Sequence, residues 1–172
     1  MLLIAAISFA VWYIIPREIH RSLDGIKYRL GEENREFEEL ITVNIDGRMN
    51  RNWKGERIFT GSILVEGEEI SVPPDQRELE VRFPKNSYHQ LIIYHGIHNS
   101  SIYQFPYGDL FTNEDLSELT ITRFEETPSG IKGWDSEDGL MISAPAEDRA
   151  EALEISNRYF KAYWMGMTKP LE

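Results

Sequence analysis

Glu-Leu-Glu-Val-Arg-Phe, residues 78–83, alternates charged and apolar side chains without a break, setting Leu79, Val81 and Phe83 against Glu78, Glu80 and Arg82. Side chains two apart share a face of a β-strand, so this stretch predicts a strand with one buried face and one wet face. The same period recurs upstream in ITVNIDG (41–47), where Ile41, Val43 and Ile45 share a face. That run ends in Asp46-Gly47, a pair suited to the positive φ angles of a tight hairpin turn. IFTGSILVEGEEISV (58–72) reads as two β-rich runs about a second turn at Gly67-Glu68, closed by Pro73-Pro74.

Further on, QLIIYH (90–95) is apolar through its middle and predicts a central strand, while SIYQF (101–105), ELTITRF (118–124) and GLMISA (139–144) supply three more. Eight or nine short strands at this spacing, with Gly and Pro at most junctions, predict a mainly β antiparallel sandwich or barrel. The period changes at the C-terminus. Over residues 145–164, Glu147, Asp148, Glu151, Glu154, Arg158 and Lys161 gather on one side of a helical wheel. Ala152, Leu153, Ile155, Tyr159, Phe160, Tyr163 and Trp164 cover the other, which predicts one amphipathic helix packed on the sheet. Pro145 suits its first turn, and Glu147 and Asp148 suit the positive end of its dipole.

The N-terminus belongs to neither pattern. Residues 1–15 carry no charge, Trp12 and Tyr13 lie near one end, and Arg17 and Arg21 follow. Fifteen helical residues reach about 22 Å, short of the roughly 30 Å hydrocarbon core, but aromatic rings and snorkelling arginines extend that reach. The expected division is a single-pass membrane anchor at 1–21, a tether at 22–36 and one β-rich domain at 37–172. No basic region precedes the apolar run and no small-x-small cleavage site follows it, which disfavours a cleaved signal. The abrupt start suggests a basic stretch encoded upstream; the arginines after the run, taken alone, would keep the domain in the cytoplasm.

Charge narrows the partners. Beyond residue 29 the chain has 14 basic and 27 acidic residues, an unsuitable footprint for nucleic acid, and by net charge the domain should stand off anionic headgroups. With no cysteine there are no disulfides, thiolate metal sites or cysteine nucleophiles.

The candidate chemistry is sparse. His89, His95 and His98 cluster, but His95 and His98 project to opposite faces of a strand and lack ligand spacing, so no metal site is expected. GWDSEDG (133–139) gathers Asp135, Glu137 and Asp138 without fitting a calcium loop, because Ala146 stands where the bidentate glutamate belongs. Asp109, Glu114, Asp115 and Glu118 form a second acidic group that turn and edge positions explain. Asn99-Ser100-Ser101 is a glycosylation sequon, meaningful only in a eukaryotic secretory pathway. No nucleophile elbow, zinc-protease, P-loop or dinucleotide motif occurs, and no catalytic residue or cofactor is assigned. An aromatic-lined pocket would draw on Trp53, Tyr94, Tyr103, Tyr107 and Trp134, each of which packs equally well into a β-rich core.

ERIFTGSILVEGEEI (56–70), LTITRFE (119–125) and GLMISAPAEDRAEALEISNRY (139–159) together resemble small membrane-anchored β-domain proteins of Gram-positive spore-forming bacteria, over roughly residues 54–159. The resemblance carries no activity and no site residues. It implies a single-pass cell-envelope protein with its domain outside the cytoplasmic membrane. The expected role is a non-enzymatic binding, accessory or sensing module for an envelope ligand or membrane protein. The alternatives are a carboxylate-based surface hydrolase and a purely structural tethered protein.

Overall fold

The computed structural model describes residues 15–98, 100–126, 130–163 and 170–172. Eight antiparallel strands form one sheet: β1 (Arg17–Arg29), β2 (Glu38–Arg51), β3 (Arg57–Val65), β4 (Leu79–Phe83), β5 (His89–His98), β6 (Ser101–Thr112), β7 (Leu119–Arg123) and β10 (Leu140–Ala144). Their order is β4-β3-β2-β1-β10-β7-β6-β5, and the edge strands β4 and β5 pack against each other, so the sheet curls into a nearly closed barrel. A small ribbon, β8 (Glu125–Glu126) with β9 (Lys132–Gly133), hangs from one end, and helix α1 (Arg149–Tyr163) lies on the outer wall.

Apolar side chains fill the barrel, among them Val43, Ile45, Phe59, Ile63, Phe83, Ile92, Tyr94, Leu110, Ile121 and Ile142. A barrel of eight strands is just wide enough for side chains to pack it solid. A second core lies outside the wall, where Ile26, Tyr28, Phe111 and Met141 meet Ala152, Ile155 and Phe160 of α1. Strands under the helix are therefore buried on both faces: Ile142 and Ala144 of β10 point into the barrel, Met141 and Ser143 toward α1. Strand β4, away from the helix, keeps the alternation predicted from its sequence.

Several expectations give way to longer-range geometry. Residues 22–36, expected as a tether, instead hold the second half of β1 and a short 3-10 turn, and β1 pairs with β2 from Arg17 to Tyr28. The expected anchor at 1–21 gives up Arg17–Arg21 to the same strand, while residues 1–14 lie outside the described residues, and no described helix is long and apolar enough to cross a membrane. Asp46-Gly47 is not a hairpin turn but part of the β2–β3 ladder, where Gly47 faces Gly61. The two chains approach so closely there that a Cβ on Gly61 would meet the Asp46 carbonyl, and Gly61, at φ 156°, holds a backbone that side chains resist. Gly67 does turn, at φ 80°, but no strand follows over 68–72; Ile70 and Val72 reach the core from irregular chain. QLIIYH, expected at the centre, belongs to the edge strand β5. Pro145 precedes α1 rather than opening it, and Asp148 caps the helix by accepting the Glu151 amide at 2.9 Å. Asn99 of the sequon lies outside the described residues.

A buried hydroxyl cluster locks α1 onto the wall. Ser156 Oγ lies 2.6 Å from Tyr28 Oη, 2.8 Å from Thr120 Oγ1 and 2.9 Å from Ser143 Oγ. Replacing Ser156 with Ala leaves Thr120 and Ser143 bonded to each other at 2.8 Å and strands only Tyr28 in part, since its hydroxyl also reaches the Ala152 carbonyl at 3.3 Å. The expected loss is about 1 kcal/mol in denaturant unfolding. A cycle with Thr120→Val should be non-additive, and simple additivity would show that the hydroxyls do not act together.

Candidate functional site

Antiparallel pairing sorts the loops to two ends of the barrel. The start of β1, the β2–β3 turn (52–56), the β4–β5 loop (84–88), the β6–β7 loop (113–118) and the end of α1 meet at one pole. A cavity of about 540 Å³ opens there, between the β4–β5 loop and the last turns of α1. Its floor is aromatic. The His89 ring lies between Phe111 and Tyr163, with centroids 4.5 and 4.4 Å away, and Tyr88 and Tyr159 complete the wall. His89 and Phe111 are direct cross-strand partners on the outer face, which is why the sequence places two rings side by side here.

The rim is polar and mostly paired. His89 Nε2 lies 3.1 Å from Asp109 Oδ1, and Tyr88 Oη donates to Glu114 at 3.4 Å. Three carboxylates of the β6–β7 loop each meet an arginine from a different element: Arg21 with Asp115 at 2.6 Å, Arg51 with Glu114 at 2.9 Å and Arg158 with Glu118 at 2.6 Å. Partial burial alone would raise the Asp115 carboxyl, but hydrogen bonds from Ser117 and the Arg21 charge hold it below its ordinary value. Burial pushes the Tyr159 hydroxyl well up, so it stays protonated as a donor, giving its proton to the Glu118 carbonyl at 3.3 Å.

Beneath the rim sits Arg57, only 6% exposed and without a carboxylate in its hydrogen bonds. Its guanidinium lies 4.9 Å from the Phe83 ring and 4.8 Å from the Tyr88 ring. It donates to the Ser87 carbonyl at 2.7 Å and the Asn113 carbonyl at 3.2 Å, tying together the two loops that shape the cavity.

The opposite mouth holds a charged cluster on the inner face. Glu68 accepts from Arg123 at 2.9 Å and Lys27 at 3.1 Å, and Lys27 also pairs with Glu39 at 2.6 Å. Arg123 spans the Tyr107 ring at 4.3 Å and donates to the Phe124 carbonyl at 2.6 Å. Every oxygen of Glu68 is engaged by a cation, so it serves as the keystone of that mouth rather than as an acid or base.

No nucleophile sits in reach of the histidine ring among the described residues. Ser87, the nearest candidate by sequence, donates instead to the His89 carbonyl at 3.2 Å. Likewise no three His, Asp or Glu side chains of the described residues converge as metal ligands. His95 lies beside Gln104 at 3.3 Å, His98 is exposed, and Asp135 folds its own turn by accepting the Glu137 amide at 2.8 Å.

The aromatics singled out from sequence do not build the cavity. Tyr94 and Tyr107 fill the barrel, Tyr103 donates to the Ser71 carbonyl, Trp134 packs on Phe160, and Trp53 is 83% exposed at the β2–β3 turn. The residues that do line it come from three segments up to 78 positions apart; of the other residues singled out from sequence, His89, Glu114 and the helix residues Arg158, Tyr159 and Tyr163 are among them. No family model, curated protein or solved structure matches the chain.

Proposed function

We propose that this chain is a non-enzymatic binding module, held at the cell membrane by its N-terminal apolar residues, with the barrel on the outer side of the cytoplasmic membrane. The observation that carries the binding reading is the cavity itself: an aromatic floor of Tyr88, His89, Phe111 and Tyr163 beneath a rim that includes Lys85 and Arg158. Such a floor favours a flat apolar or aromatic body, and Lys85, which has no carboxylate partner among the described residues, favours an attached carboxylate. The hydrolase reading has less support, because Glu114, Asp115 and Glu118 are each engaged by an arginine.

Ala162 lines the cavity and is exposed, so Ala162→Trp should fill it at little cost to the fold. Titrating the protein with small aromatic carboxylic acids under NMR should shift resonances of Tyr88, His89, Phe111 and Tyr163 and leave Ala162→Trp silent. Shifts scattered over the surface, or unchanged in the variant, would overturn the assignment. A topology reporter fused after Glu172 tests the side of the membrane, and activity in the cytoplasm would reverse the proposed orientation.

A further inference from the structure

The overall acidity of the chain conceals a division between the two poles. The cavity pole, taken as Arg17–Arg21, 51–57, 84–88, 113–118 and 158–163, carries seven solvent-accessible lysines and arginines, besides the buried Arg57, against five carboxylates. The opposite connections, 30–39, 66–78, 124–126, 130–139 and 147–149, carry seventeen carboxylates against four basic residues. Strand β2, with 14 residues, is about 45 Å long, and tilted as barrel strands are it separates the poles by roughly 35 Å. Charge is screened over about 8 Å at physiological salt, so a surface touching one pole does not sense the other.

The basic pole is also where the chain leaves the barrel toward its apolar N-terminal residues, through exposed Ile15 and Pro16. Beside that exit the β2–β3 turn presents Trp53, the most exposed large apolar side chain of the described residues, with Lys54 Nζ 5.4 Å from its ring. Tyr88 and Tyr163 are exposed at the same end, and Lys85 forms no ion pair with a described residue. An exposed indole and tyrosines among lysines and arginines match the chemistry of a bilayer headgroup zone.

We infer that the barrel docks by this pole onto anionic phospholipid headgroups, with Trp53 at the lipid interface, rather than standing off the membrane as its net charge suggests. The inference rests on the membrane-held reading above. In a docked barrel the cavity opens beside the bilayer and the acidic pole faces away.

The chain has no cysteine, so Trp53→Cys can carry a single polarity-sensitive fluorophore, with Glu137→Cys at the acidic pole as a control. The labelled full chain would be mixed with vesicles of phosphatidylcholine alone or with 30% phosphatidylglycerol, recovered by flotation and read by emission. The expected result is flotation with both vesicles, and a blue shift at position 53 only with phosphatidylglycerol and never at position 137. Each surface cation strengthens adsorption about fivefold, so Lys54→Glu with Lys85→Glu should lower the docked-to-undocked ratio at least 25-fold while flotation persists. Flotation with both vesicles and no shift at position 53 overturns docking and leaves the tether standing. A shift with phosphatidylglycerol, without flotation on phosphatidylcholine, supports docking and removes the tether. A shift produced only by soluble polyglutamate identifies an acidic protein partner and overturns the lipid assignment.

Discussion

Glu68→Gln is expected to lower the free energy of unfolding by about 3 kcal/mol, because it leaves Arg123 and Lys27 in the barrel mouth without the charge that holds them there. Both cations are largely buried, their side chains 11% and 14% exposed, so water replaces little of what the carboxylate supplied. Lys27 keeps Glu39, and Arg123 keeps the Phe124 carbonyl, which places the loss near the lower end for broken buried pairs. Guanidinium unfolding of the two proteins at pH 7 gives the difference directly, and a value under 1 kcal/mol would mean that the mouth is effectively solvated.

The same cluster fixes a pH dependence. Burial alone would raise the Glu68 carboxyl, but hydrogen bonds from Arg123 and Lys27, with their charges, hold it below its ordinary 4.5. Its contribution is therefore complete above pH 4.5 and is lost as pH falls through the lower, folded-state value. Burial alone would lower Lys27, but bonds to Glu39 and Glu68 raise it above 10.5, so its contribution is complete below that pH and is lost as pH rises through the folded-state value. The contribution of this cluster should hold level between those limits. Glu68→Gln should flatten the acid limb while reducing the plateau, an outcome that a purely steric effect of the substitution would not produce.

This cluster also explains where the sequence could be read and where it could not. Strand β4 was legible because only one of its faces is covered, so Leu79, Val81 and Phe83 keep a single period. Strand β1 was not. Ile19 and Leu23 point into the barrel, but beyond Gly25 the buried apolar side chains are Ile26, Tyr28 and Leu30, on the face under α1. Lys27 takes the inward position there, because at the mouth it meets Glu68, 41 residues away. The apolar side of the strand thus changes face midway, and a period-two reading finds a tether instead of a strand.

Asp46-Gly47 failed for a related reason. The dipeptide favours a turn locally, but its conformation is set by Gly61 across the ladder, where two chains without side chains can pass closely. The cavity was legible only in pieces, at His89, at Glu114 and on the helix, since Tyr88, Phe111 and Tyr163 come together from a loop, a strand end and a helix end through closure of the barrel. The helix itself was legible because its apolar stripe is a local feature, while its start was read at Pro145, four residues before Arg149, where the Asp148 cap sets it.

Arg57→Leu is expected to cost about 4 kcal/mol and to loosen the cavity. The guanidinium is enclosed by Phe83 and Tyr88, and burial lowers its affinity for a proton from the high ordinary value of arginine, a side chain that stays charged in folded proteins. Leucine fills part of the space but strands the carbonyls of Ser87 and Asn113, each at a cost of 1–3 kcal/mol, and forfeits two stacked ring contacts. Arg57→Lys separates charge from geometry. An ammonium keeps the positive charge between the rings but cannot donate in a planar fork to two carbonyls from different loops, so it should recover less than half of the loss. Amide hydrogen exchange supplies the decisive reading, with faster exchange expected in residues 84–88 and 113–118 and little change in β1 or β10. If lysine restored full stability, a cation between two rings would be sufficient. If exchange rose uniformly, Arg57 would be a general core residue, and the shape of the cavity would have to come instead from Tyr88 and Arg51 meeting on Glu114.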